Sequence, residues 1–154
     1  MLSNKAKYAL KAMFALTSLK DDERLQSNEI AEDQNIPKKF LDLILLELRR
    51  HGLVQSYRGQ QGGYALAKSA STITLGNIVR LIDGPLAPIA CASVTGYQRC
   101  ADCDPDTCLV RYNMRKVRDA ISTILDQTTL AEASRMKPKK QSTPSRREIL
   151  EYVP

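Results

Sequence analysis

The chain has 154 residues and carries 23 Lys and Arg against 17 Asp and Glu, a net charge of +6. Hydrophobic residues make up 43% and aromatics only 5%, with no Trp, so one modest domain built on aliphatic helices is expected. No apolar run approaches a membrane span and no h-region opens the chain, which argues against a membrane protein and for a cytoplasmic one; the basic excess, gathered at both ends, weakly favours a polyanionic partner.

The first helix is predicted over Ser3 to Leu19, where Ala6, Ala9, Leu10, Met13 and Leu16 form an apolar stripe. Lys20 to Arg24 reads as a polar loop. Ser27 is the expected N-cap of a short helix, with Glu29 suited to the dipole and Ile30 and Ala31 facing inward. Gln34 and Asn35 break that helix. Pro37 then starts another in a first-turn position, running to about His51 with Leu41, Ile44, Leu45 and Leu48 buried and Gly52 as its left-handed cap. Two short helices joined by a tight turn, the second flanked by Lys38, Lys39, Arg49 and Arg50, predict a helix-turn-helix. Leu53 to Tyr57 and Tyr64 to Ala67 alternate as strands on either side of the glycine-rich turn that begins at Arg58, so the recognition-type helix is followed by a β-hairpin wing.

Thr74 caps a further helix bearing Leu75, Ile78, Val79 and Ile82, which Asp83-Gly84-Pro85 terminates. The chain is then irregular to about Asp106, and the four cysteines lie in or beside this stretch. A long helix is predicted from Thr107 to Gln127, with Asp106 as its cap. Its apolar residues Val110, Met114, Val117, Ile121 and Ile124 are spaced 4, 3, 4 and 3 apart, a seam for helix–helix pairing. Thr129 and Glu132 form a capping box for a short final helix. The expected class is therefore mainly α with a small β-hairpin wing (α+β). The expected units are a winged helix-turn-helix (1–84), a cysteine-bearing sensor loop (85–106), a dimerisation helix with a short terminal helix (107–134), and a basic, disordered tail (135–154).

Lys38, Lys39 and Phe40 occupy the first turn of the recognition helix, where side chains reach base edges. Asp42 could accept from a cytosine amino group but reads better as a solvated surface residue, and Phe40 reads equally as core. Arg58 is the strongest wing candidate, because a guanidinium suits a narrow minor groove. Gln60 and Gln61 offer bonds to bases or phosphates, while Gly59 and Gly62 set the turn and let the backbone approach DNA. Ser27 and Tyr64 complete the candidate DNA-binding set.

The cysteines follow the pattern Cys91-x8-Cys100-x2-Cys103-x4-Cys108. Thiolates are soft ligands for an iron–sulfur cluster or zinc, and Cys100-x2-Cys103 suits zinc well. A redox disulfide pair or free thiols stay open as alternatives. His51, the single histidine, fits a helix C-terminus, and no Ser/His/Asp set accompanies it, so enzymatic chemistry is not expected.

Ser27 to Gly84 resembles the Rrf2 family of bacterial winged-helix transcription regulators, whose members include IscR, NsrR, RirA and CymR. The carrying motifs are Ile36-Pro37-Lys38-Lys39-Phe40-Leu41, Gly52-Leu53-Val54, Arg58-Gly59-x-x-Gly62-Gly63-Tyr64-x-Leu66-Ala67 and Ile82-Asp83-Gly84, with Tyr8-Ala9-Leu10 near the start. The likeness extends over about residues 1–131. It implies a homodimer on a palindromic operator in double-stranded DNA, a repressor or activator paired through the long helix. It also implies control by a 2Fe-2S or 4Fe-4S cluster that senses iron, redox state or nitric oxide. CymR-type members lack a cluster, so control by zinc, thiol oxidation or a partner protein is the alternative, and a small redox or metal carrier is a third class that the wing disfavours. The fourth ligands known among members are a histidine three residues after the last cysteine and an acidic residue before the tyrosine. Those positions are Arg111 and Lys7 here, so an all-cysteine site on Cys91, Cys100, Cys103 and Cys108 is expected.

Overall fold

Ser3 is the N-cap of α1 (Asn4–Thr17), its side chain accepting from the Ala6 N–H. The computed structural model describes residues 2–20, 22–59 and 61–136; Gln60 and residues 137–154 of the expected tail lie outside them. The helix-turn-helix follows as α2 (Ser27–Asp33) and α3 (Lys38–Arg50). Asn35 makes the turn between them in the left-handed region (φ 49°), while the Ile36 N–H returns to the Ala31 carbonyl at 2.9 Å. The predicted Gly52 cap is present with φ 67°.

Helix starts differ from expectation in three places. Gln26, not Ser27, is the N-cap of α2, with its N–H donating to Glu29 Oε2 at 2.6 Å; Ser27 is the first helical residue. Pro37 is the N-cap of α3 rather than its first residue. The long helix α5 (Leu109–Gln127) is capped by Cys108, whose Sγ accepts from the Arg111 N–H at 3.4 Å. Asp106 was the expected cap. The turn there is closed by Asp104, which takes the Asp106 N–H and the Thr107 hydroxyl, and this starts the helix two residues later.

The wing is an antiparallel pair, β1 (Val54–Tyr57) and β2 (Gly63–Leu66), in the register Val54↔Leu66 to Tyr57↔Gly63. Leu25 bridges to Tyr64 as a third, one-residue rung, so the hairpin is anchored to the segment before α2. Helix α4 (Leu75–Asp83) has the predicted Thr74 cap, reciprocated by Asn77. The stretch that follows is irregular as expected, apart from a 3-10 turn at Ala90–Ala92. The last helix, α6 (Leu130–Arg135), carries the Thr129–Glu132 capping box.

The core is built where these stripes meet. Met13 and Leu16 of α1, Ile30 of α2, and Leu41, Ile44, Leu45 and Leu48 of α3 are buried together with Val54, Ile73 and Ile78. Leu130 of α6 is fully buried in the same cluster. Its N–H donates to the Ile73 carbonyl at 2.7 Å, and Leu75 N–H to the Thr128 carbonyl at 3.0 Å. The chain beyond α5 thus returns to the winged-helix core, which holds the C-terminal end of α5. Mainly α with a two-stranded hairpin, the architecture is the one expected. Among the described residues, no helix is long and apolar enough to cross a membrane.

Candidate functional site

One candidate surface is the outer side of α3 together with the wing. The four buried leucine and isoleucine residues of α3 fix its inner face, which turns Lys39, Phe40 and Leu43 outward. Lys39 is exposed and has no ion pair among the described residues. Lys38 is engaged differently. Its ammonium meets Asp42 one turn on, at 2.6 Å, so each half-masks the other. Phe40 is 44% exposed and lies edge-on to Tyr8, with ring centres 6.1 Å apart, so it belongs partly to each of its two readings. Ser27 is half-buried at the first turn of α2.

Arg58, Gly59 and Gln61 are exposed at the tip of the wing. A Cβ on Gly62 would crowd the Tyr57 carbonyl oxygen and stand 2.8 Å from that of Gly59, so only glycine lets the turn close. Gly63 is equally constrained: at φ 153°, a Cβ there would stand 2.6 Å from the Leu25 carbonyl oxygen. Tyr64 is not at the tip. Its backbone exchanges two bonds with Leu25, at 2.8 and 3.2 Å, and its half-buried ring packs on the core. Sequence reasoning missed Arg24, which sits 3.8 Å over the Tyr57 ring and adds a second cation at the base of the wing. Its signal was available only in three dimensions, since 33 residues separate the pair.

The second candidate is the cysteine loop. The 3-10 turn buries Cys91, and the N-terminus of α5 places Cys108, while Cys100 and Cys103 are half-buried between them. The four thiols form a contiguous set: Cys91 faces Cys100, and Cys103 faces both Cys108 and Cys100. Cys100, Cys103 and the Asp102 carboxylate have ligand atoms within 4.8 Å of one another. Electrostatics differentiate the thiols. Sharing protons with Cys108, together with desolvation, pushes Cys103 up to about 12. Hydrogen bonding with Cys100 and desolvation raise Cys91. The Arg111 N–H and then the Cys103 thiol pull Cys108 below the usual thiol range. Four soft donors brought together from three segments fit an iron–sulfur cluster or a zinc ion; the added carboxylate is a harder donor beside them.

The loop is tied to α5. Arg111 donates through Nε to the Cys91 carbonyl at 3.0 Å and through Nη1 to the Pro105 carbonyl at 2.8 Å. The position that lacks the histidine ligand therefore holds the loop in another way, a role that spacing alone did not reveal. The predicted seam on α5 is open: Val110, Val117, Ile121 and Ile124 are 63%, 41%, 38% and 65% exposed. Met114, counted in that seam, is half-buried and lies towards the inner side of the helix.

Comparison with known proteins places this architecture. The family model described as "Rrf2: Iron-dependent Transcriptional regulator" matches residues 2–135. The chain is 41% identical over 139 residues to an rrf2-like HTH-type transcriptional regulator of Rhodobacter capsulatus, covering 86% of this chain and 91% of that one. It is 34% identical over 131 residues to the transcriptional regulator IscR of Yersinia enterocolitica, covering 85% and 77% respectively. Its structure is similar to that of CymR, the global cysteine regulator of B. subtilis, with a TM-score of 0.75 and 30% identity over 90% of this chain and 98% of the other.

Proposed function

The chain belongs to the Rrf2 family of transcriptional regulators, and from that membership we propose that it is a cytoplasmic homodimer that binds a palindromic operator with an affinity set by an iron–sulfur cluster. The recognition helix α3 enters the major groove and presents Lys39, with the Lys38–Asp42 pair beside it. Arg58 at the wing tip reaches the neighbouring minor groove, and the exposed seam of α5 pairs two subunits. Residues 1–84 read the DNA, 85–106 sense, and α5 joins the two functions.

Cys91, Cys100, Cys103 and Cys108 hold the cluster. When bound, such a group supplies a centre whose charge or integrity responds to iron supply, oxidants or nitric oxide. The convergence of four thiols at the foot of α5 is the observation that carries this reading. It also supports the all-cysteine set over one completed by the histidine or the N-terminal acidic residue found among relatives, because Arg111 and Lys7 stand at those two positions.

Anaerobic purification followed by absorption spectroscopy and iron, sulfide and zinc analysis tests it. Coloured protein with matched iron and sulfide is expected, and Cys91→Ala should lose most of both. Colourless protein with stoichiometric zinc would overturn the cluster. A second reading keeps the regulator and replaces the cluster by zinc or thiol oxidation. The adjacent Cys100 and Cys103 thiols and the likeness to CymR favour it.

A further inference from the structure

A guanidinium stays protonated and offers only donors, so Arg111 is not a ligand. It is nevertheless joined to the cysteine loop at several points. Its backbone N–H bonds Cys108 Sγ, its Nε the Cys91 carbonyl and its Nη1 the Pro105 carbonyl. Its guanidinium also lies 5.7 Å from the centre of the Tyr97 ring. One side chain of α5 thus grips the turn that carries Cys91, the middle of the loop and the turn before Cys108. Arg118 stands seven residues further on, two turns along the same helix face. It donates to the Ala92 carbonyl at 2.5 Å, with its side chain only 11% exposed. Two arginines of one helix therefore hold consecutive carbonyls of a single 3-10 turn.

The charge of Arg111 has a second consequence. Four thiolates around zinc or a cluster leave a net negative charge at the foot of α5. Arg111 makes no ion pair among the described residues, so its positive charge is left to act on that site. Bonds from a charged donor are the stronger kind, and two from one planar fork fix direction as well as distance.

We propose that Arg111 and Arg118 are positioning residues that clamp the Cys91 turn to α5, and that Arg111 supplies the fixed positive charge offsetting a four-thiolate metal site. The charge half rests on the four-cysteine reading above; the clamp does not, because it holds in metal-free protein. A disturbance at the thiols is passed through the clamp to the helix that pairs the subunits.

The test uses the full, reduced, metal-free chain and four variants: Arg111→Gln, Arg111→Lys, Arg118→Gln and, as a control on the exposed side of the same helix, Arg115→Gln. Amide hydrogen exchange at Ala92 and Ser93 reads the clamp, with the amides of α1 to α3 as the folding reference. Cobalt(II) titration, followed by thiolate-to-cobalt absorption, reads the charge. Arg111→Gln and Arg118→Gln should speed exchange in the turn about tenfold. Arg111→Gln should weaken cobalt binding about tenfold. Arg111→Lys should recover cobalt affinity to within about threefold, but not slow exchange, since an ammonium cannot hold two carbonyls in a planar fork. Arg115→Gln should match the wild type in both. Unchanged exchange in both glutamine variants overturns the clamp. Cobalt affinity that is unaltered in Arg111→Gln, or that falls as far in Arg115→Gln, overturns the charge half. Wild-type protein without thiolate–cobalt bands overturns the four-cysteine reading and the charge half with it, while the exchange rates still decide the clamp.

Discussion

Single side chains divide here between those free to meet a partner and those already engaged. Arg58 is exposed at the wing tip, whereas Lys38 spends its charge on Asp42. Arg58→Ala should therefore weaken operator binding and lower the slope of log K against log salt by about 0.9, the value for one phosphate contact; an unchanged slope would place Arg58 off the DNA backbone. The thiols differ as sharply. At neutral pH Cys103, held up to about 12, presents far less thiolate than an ordinary cysteine, while Cys108 presents more. Both are half-buried, so access does not separate them. Brief alkylation of reduced, metal-free protein at pH 7, read by peptide mass mapping, should label Cys108 well before Cys103. The sign with pH follows. The raised Cys103 contributes stability that is full below its unfolded value and is lost as pH climbs from about 9 to about 12. The depressed Cys108 does the opposite, losing its contribution as pH falls through its folded value. Equal labelling of the two at pH 7 would remove this asymmetry.

Elements owe their placement to a few backbone positions. The wing turn closes only because Gly62 has no Cβ to meet the Tyr57 and Gly59 carbonyls. Gly62→Ala should distort the hairpin at a cost of about 1–3 kcal/mol. DNA affinity should fall while far-UV circular dichroism keeps its helical signal; an operator affinity equal to the wild type would mean that the tip geometry is not read. Between α4 and α5 the Arg80 guanidinium takes both oxygens of Asp126, at 2.5 and 2.7 Å, directly over Gly76. Gly76 is buried there, and any larger residue would strike that pair. The hydrogen-bonded contact with Arg80 holds the Asp126 carboxyl below the ordinary range. Both partners are more than a third exposed, so solvent screens the pair and its value lies in orienting α5 rather than in stability.

Across the whole molecule, α5 is a long helix that buries little within one chain. None of its residues is buried, yet it is 19 residues long and carries an apolar strip outward. A partner helix would remove that strip from water, at a gain of about 25 cal/mol per Å² of apolar surface. Ile121→Asp places a charge in the strip, and sedimentation should then find a monomer where the proposed wild-type dimer forms. Operator affinity should fall with it, since one half-site contact replaces two. A variant that stayed dimeric would move the pairing surface elsewhere.

How much could be read beforehand follows from the range of each interaction. Helix periodicity, the Thr74 and Thr129 caps, the left-handed Gly52 and the glycine-rich wing are local, and the sequence alone determined them, along with the family likeness they carry. Caps shifted by a residue or two, to Gln26 and Cys108, because Glu29 takes the Gln26 N–H and Asp104 closes the turn ahead of α5. The facts that only the tertiary structure decided join residues far apart in the chain. Leu130 entered the core beside Ile73, Arg24 stacked on Tyr57, and Arg111 and Arg118 took the carbonyls of Cys91 and Ala92. Residue spacing encodes which face of an element turns inward, but not what that face meets. Long-range partners are chosen when the helices pack, by the burial and unpaired carbonyls that packing creates.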